Sequence, residues 1–136
     1  MVGILLITHG TFGESLIQCA SHVMGARPPH VMQIGITPQD DPEQIVPQAI
    51  KLLRTLDQGS GVLVFSDILG ATPCNVAGRL LTPGKVEGVA GVNLPMLIRA
   101  LTYRTDPLRV VVDKALSGGA EGVIQIPFNQ VRNAAS

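Results

Sequence analysis

Short apolar runs recur along the chain and alternate with stretches of helical periodicity, and this alternation restricts the fold more than any other feature. The runs cover residues 2–8, 31–36, 61–66, 86–92 and 122–126, each bounded by glycine, proline or polar residues as strands are. Between them, Leu16, Ile17, Ala20, Val23 and Met24 share one helical face, as do Ile45, Val46, Ala49, Leu53 and Leu56. Shorter helices are expected over residues 73–81 and 95–103, each with proline in its first turn, and a fifth from Asp106-Pro107 to Gly118-Gly119. The alternation predicts an α/β domain of three layers. Its open sheet is mainly parallel with helices on both faces, because the runs are continuously apolar and so suit burial on both sides. Pro47 falls inside the second helical pattern and lacks a backbone donor, so that helix is expected to start at Pro47 or to kink there. The last strand, 122–126, is short and follows a glycine pair; it reads as an edge strand or as one that pairs with another subunit. The domain is taken as residues 1–126, with residues 127–136, PFNQVRNAAS, as a tail.

Bulk composition excludes several classes. At 46% hydrophobic residues the 136-residue chain can build one core, and at 3% aromatics that core is aliphatic. Lysine plus arginine equals aspartate plus glutamate, ten each, so no net field recruits nucleic acid or an anionic membrane. Stacking aromatics on a basic groove are missing too, which argues against nucleic acid as a partner. Cys19 and Cys74 lie far apart and match neither zinc nor redox CxxC spacing, which reads as reduced thiols in a cytoplasmic protein. No signal peptide is expected from the apolar start, and no run of about 18 apolar residues predicts a membrane span. Neither GxxxxGK[ST] nor GxGxxG occurs, so a nucleotide is not indicated, and no cofactor or metal is expected.

In an open parallel sheet, ligands gather beyond the carboxyl ends of the strands. Polar outliers fall there after three different strands: Thr8-His9-Gly10, Ser66-Asp67 and Asn93. Asp67, at the end of a central strand, is placed to hold one N–H of the His9 imidazole and leave the other nitrogen as a nucleophile; its plainer alternative is a turn or cap residue. Thr72 before Pro73 reads as an N-cap, with helix-start N–H groups facing the same crevice. Gly10, Gly13 and Gly70 allow close backbone approach. His22 and His30 read as exposed surface, Cys19 and Cys74 as small packed side chains, and Arg79, Arg99 and Arg104 as solvated helix surface. Phe12 and Leu69 are either core residues or an apolar rim of the site.

The segments ILLITHG, FSDILGATPCN and AGVNLPML, in this order and spacing, resemble enzyme IIA of the mannose family of the bacterial sugar phosphotransferase system, over residues 2–126. The resemblance implies a cytoplasmic phosphocarrier that takes a phosphoryl group from the carrier HPr and passes it to an enzyme IIB partner. The family's phosphorylated histidine falls on His9, its orienting aspartate on Asp67 and its active-site hydroxyl on Thr72; backbone at Gly10 and Gly70 is expected to hold the phosphoryl oxygens together with Thr72. It also implies a homodimer, some members exchanging the last strand. Ala71 stands where the family often has a second glycine, and Cys74 where a larger apolar residue is common.

Two other readings compete. One is a regulatory module whose phosphorylation state is read in a system without its permease, since fold does not settle function. The other is a small tetrapyrrole metal chelatase, whose site wants a second histidine from a later strand; this chain has no histidine after His30.

Overall fold

The computed structural model describes residues 1–128, so the expected tail lies, from residue 129 on, outside the described residues. Elements follow in the order β1 (Gly3–His9), α1 (Phe12–Met24), β2 (Val31–Ile36), α2 (Pro42–Leu56), β3 (Val62–Ser66), α3 (Thr72–Gly78), β4 (Val86–Ala90), α4 (Leu94–Thr102) and α5 (Leu108–Glu121). The sheet has four strands in the order β2-β1-β3-β4, and every pairing is parallel. Period-two alternation divides its side chains between two cores. Ile4, Leu6, Leu63 and Phe65 pack with α1, α4 and α5 on one face, while Leu5, Ile7, Val62 and Val64 pack with α2 and α3 on the other. The three-layer expectation is met.

Local chemistry explains the element starts. Asp41 caps α2 by accepting the Glu43 N–H at 3.0 Å, and Pro42 occupies the first helical position. The helix therefore begins five residues before Pro47 and runs through it. Helix α1 has no side-chain cap from Thr11; instead the buried Thr8 hydroxyl, near the end of β1, accepts the Gly13 N–H at 2.8 Å. Asn93 caps α4 through the Met96 N–H at 2.9 Å and donates to the Gly119 carbonyl at 3.2 Å, clipping α4 to α5.

The expected fifth strand is not formed. Residues 123–127 carry no regular structure, and Val123, Ile124 and Ile126 are exposed. A strand exists only as half of a hydrogen-bonded pair, and among the described residues no other segment supplies the second half. Among those residues, no helix is long and apolar enough to cross a membrane.

Arg104 departs furthest from its expected surface role. It is buried at the amino end of the sheet, where its guanidinium donates to the carbonyls of Val2 (3.1 and 2.9 Å), Pro29 (2.6 Å) and His30 (2.8 Å). Arg99 does lie on a helix and Arg79 caps the end of α3, each in an ion pair, with Glu121 at 2.9 Å and Glu43 at 2.7 Å respectively.

Candidate functional site

His9 ends β1 at the centre of the sheet, and Asp67 directly follows β3, the neighbouring central strand. Parallel pairing brings Ile7 opposite Ser66, so the next residues of both strands emerge together at the carboxyl edge. Their side chains meet: His9 Nδ1 lies 2.7 Å from Asp67 Oδ2, and the same oxygen accepts the His9 backbone N–H at 2.9 Å. The other carboxylate oxygen accepts the Ile68 N–H at 3.1 Å. Partial burial pushes the Asp67 carboxyl up, but the hydrogen bonds from the His9 backbone and imidazole outweigh it and hold the group below its ordinary value. An ionised carboxylate only accepts, so Nδ1 carries the proton and the neutral ring presents a lone pair on Nε2. Nε2 has no partner among the described residues, and the ring is 54% exposed against 15% for Asp67.

The ring opens onto a crevice of about 280 Å³ shared by three loops. Thr72 and Pro73 line it from the start of α3, and Ile36, Thr37, Pro38, Asp40 and Pro42 line it from the β2–α2 connection. That connection was absent from the sequence reading, because neither Thr37 nor Asp40 belongs to a motif; its only signal was its place after a strand of a parallel sheet. Close packing holds the first loop against it. A Cβ on Gly35 would collide with the Gly10 carbonyl oxygen, and the Gly10 N–H, at φ 50°, donates to the Ile36 carbonyl at 2.9 Å.

Several expected residues take other places. The Gly10 N–H is already engaged and does not face an incoming oxyanion unpaired. Thr72 is not an N-cap: Ala71 holds that position, α3 starts at Thr72, and no side chain caps it, so the exposed Thr72 hydroxyl is left over for another partner. Gly70, at φ 88°, turns the chain into α3. Asn93 serves helix capping and does not line the crevice. Phe12 and Leu69 are not core residues; Leu69 is 79% exposed. Cys19 is exposed, not packed, and Cys74 is half-buried. His22 is exposed as expected, whereas His30 is half-buried with its Nε2 3.1 Å from Gln58 Nε2. Among the described residues, no three histidine, cysteine, aspartate or glutamate side chains gather as a metal site.

The chain is similar to known proteins over most of its length. The family model described as "PTS system fructose IIA component" matches residues 3–114. The mannose-specific EIIAB component of the phosphotransferase system (PTS) of Escherichia coli K12 is 32% identical over 98% of the chain, which spans 42% of that relative's length. The fructose-specific EIIA component of Bacillus subtilis is 24% identical over 76% of the chain and 71% of its own length. Among solved structures, the phosphotransferase component EIIA of Streptococcus agalactiae superposes with a TM-score of 0.82 at 25% identity, covering 92% of this chain and 97% of that one. The mannose/sorbose-specific IIA subunit of Enterococcus faecalis has the same fold, with a TM-score of 0.82 at 23% identity over 93% of this chain and 96% of that one. With the family model covering most of the chain, and a mannose-specific relative aligned over nearly all of it, this protein belongs to the mannose-family IIA components of the sugar phosphotransferase system.

Proposed function

We propose that the chain is a cytoplasmic phosphocarrier in which His9 accepts a phosphoryl group from phospho-HPr and passes it to an enzyme IIB partner during sugar uptake. One observation carries the reading: the 2.7 Å contact between His9 Nδ1 and Asp67, which leaves Nε2 unpaired at the mouth of the crevice. In the reaction, the Nε2 lone pair attacks phosphorus while the donor's N–P bond breaks and returns its electron pair to the donor nitrogen. No proton changes hands. The proton stays on Nδ1, hydrogen-bonded to Asp67, whose carboxylate stabilises the positive ring of the phosphohistidine. The exposed Thr72 hydroxyl and the turn at Gly70 are assigned to the phosphoryl oxygens, and the Gly10 turn holds His9 in place through Ile36 and Gly35.

A carrier must release its group to a second protein, so its site needs exposure and an apolar rim suited to transient docking. Exposed Phe12, Ile68 and Leu69 supply such a rim. The proposal is tested by intact-mass analysis after incubation with phosphoenolpyruvate, enzyme I and HPr. One acid-labile phosphoryl adduct is expected, and no adduct with competent donors overturns the reading.

Asp67→Asn should slow phosphoryl acceptance on the order of 100-fold without eliminating it. An amide can donate to Nδ1 and so favour the tautomer with the proton on Nε2, which removes the attacking lone pair. Rapid-quench labelling measures this, and a wild-type rate would remove Asp67 from the mechanism.

The homodimer expected from the resemblance belongs to the same proposal. The unpaired 122–126 segment exposes Val123, Ile124 and Ile126, which a second copy would cover by strand pairing. Sedimentation equilibrium should show a dimer that becomes monomeric when the chain is cut after Glu121; an unchanged dimer would place the interface elsewhere.

A further inference from the structure

Among the described residues, Asp40 is the one acidic or basic side chain besides the His9 imidazole that lines the crevice. It is pinned there: its Oδ2 accepts both the Thr37 N–H at 2.7 Å and the Thr37 hydroxyl at 3.1 Å. Its second oxygen accepts no hydrogen bond from any described residue. Ile36, Pro38, Pro42 and Pro73 form the neighbouring wall, and apolar walls strengthen the field of a charge in a cleft. Among the described residues, no lysine or arginine lines the crevice to offset it.

We propose that the Asp40 carboxylate raises the transfer potential of phospho-His9, so that the group is held weakly enough to be handed on. The inference rests on the phosphocarrier reading above. Phosphorylation of neutral His9 puts about two negative charges on the phosphoryl oxygens and one positive charge on the ring, a net gain of one negative charge. That charge enters a cleft already carrying the Asp40 carboxylate, and like charges sharing a small site repel. Asp67 and Asp40 thus act in opposite senses on the two ends of the phosphohistidine. Asp67 steadies the ring through a direct hydrogen bond, whereas Asp40 opposes the phosphoryl oxygens through space.

The quantity that reads this is the equilibrium constant for phosphoryl exchange between HPr and the chain, measured from both directions by intact mass. It depends on the stability of the phosphorylated site, not on how fast the proteins dock. Asp40→Asn keeps an oxygen that can accept the Thr37 bonds and removes only the charge. It should shift the equilibrium toward the phosphorylated chain by about threefold to tenfold at low salt. The shift should shrink as ionic strength rises, and Asp40→Glu should return the constant toward wild type. A loop-closing role alone would change the melting temperature without a salt-dependent shift. Unchanged equilibrium in Asp40→Asn, in a protein that takes up phosphoryl normally, overturns this inference and leaves the carrier reading intact. Failure of the wild-type chain to take up phosphoryl at all overturns both. Should Asp40→Asn unfold, Asp40→Glu and Asp40→Lys decide: rising salt must favour the phosphorylated chain more in wild type and in Asp40→Glu than in the charge-reversed Asp40→Lys, and a constant indifferent to these charges refutes the proposal.

Discussion

His9→Ala is expected to abolish the proposed phosphoryl uptake from phospho-HPr while the protein keeps its fold. The fold survives because the ring is more than half exposed, and the His9 backbone N–H, which alanine retains, still donates to Asp67 at 2.9 Å. Exposed substitutions of this kind cost about 0.5 kcal/mol or less, and losing the Nδ1 contact adds on the order of 1 kcal/mol. Uptake is lost because no other group stands in for Nε2. His22 lies on the outer side of α1, and His30 precedes β2, at the amino edge of the sheet opposite the crevice. Acid-labile adduct by intact mass, with a thermal melt on the same preparation, checks both halves. Normal-rate labelling of a folded His9→Ala protein would end the assignment.

Arg104→Leu destabilises the protein by about 3–5 kcal/mol, the range for removing one member of a buried charged network. Its guanidinium gathers the carbonyls of Val2, Pro29 and His30, and the Val2 N–H donates to the Arg104 carbonyl at 2.8 Å. The α4–α5 corner is thereby tied to the starts of β1 and β2. Burial pulls the guanidinium pKa down, yet arginine stays charged at any working pH, so three carbonyl oxygens balance the charge. Leucine fills part of the volume and leaves those oxygens without their donors. Against a domain stability of about 5–15 kcal/mol, the melting temperature should fall by on the order of 10 °C or more. A fall of only about 2 °C would mean that water replaces the guanidinium at little cost. Phosphoryl uptake measured well below the melt should persist, because Arg104 lies at the sheet edge away from His9.

Arg104 and His9 show why one side chain was legible and the other was not. His9 stands at the end of a continuously apolar run, and any parallel sheet places such an end at the ligand edge. Its partner followed from the same logic, since Asp67 ends the neighbouring central run. Arg104 follows a helix at a position where most arginines meet water, and no local pattern announces that two strand starts converge on it. Asp40 and Thr37 were missed for a related reason: they matter through the loop that contains them, and a loop's neighbours are set by the packing of the elements it joins. Thr72 erred by one position, because Pro73 fits the second helical residue as well as the first.

Patterns short enough to lie within one element were legible in the residues alone: four of the five expected strands, the five helical stretches among the described residues, and the edge of the sheet where polar outliers collect. They depend on periodicity and on the backbone limits of proline and glycine, which act over a few residues. Contacts between distant segments needed the folded chain. Gly35 yielding to the Gly10 carbonyl, Arg104 crossing to Val2 and the failure of 122–126 to find a strand partner among the described residues all depend on which surfaces the packed layers bring together. That outcome is a sum over the whole core, and no single stretch of sequence carries it.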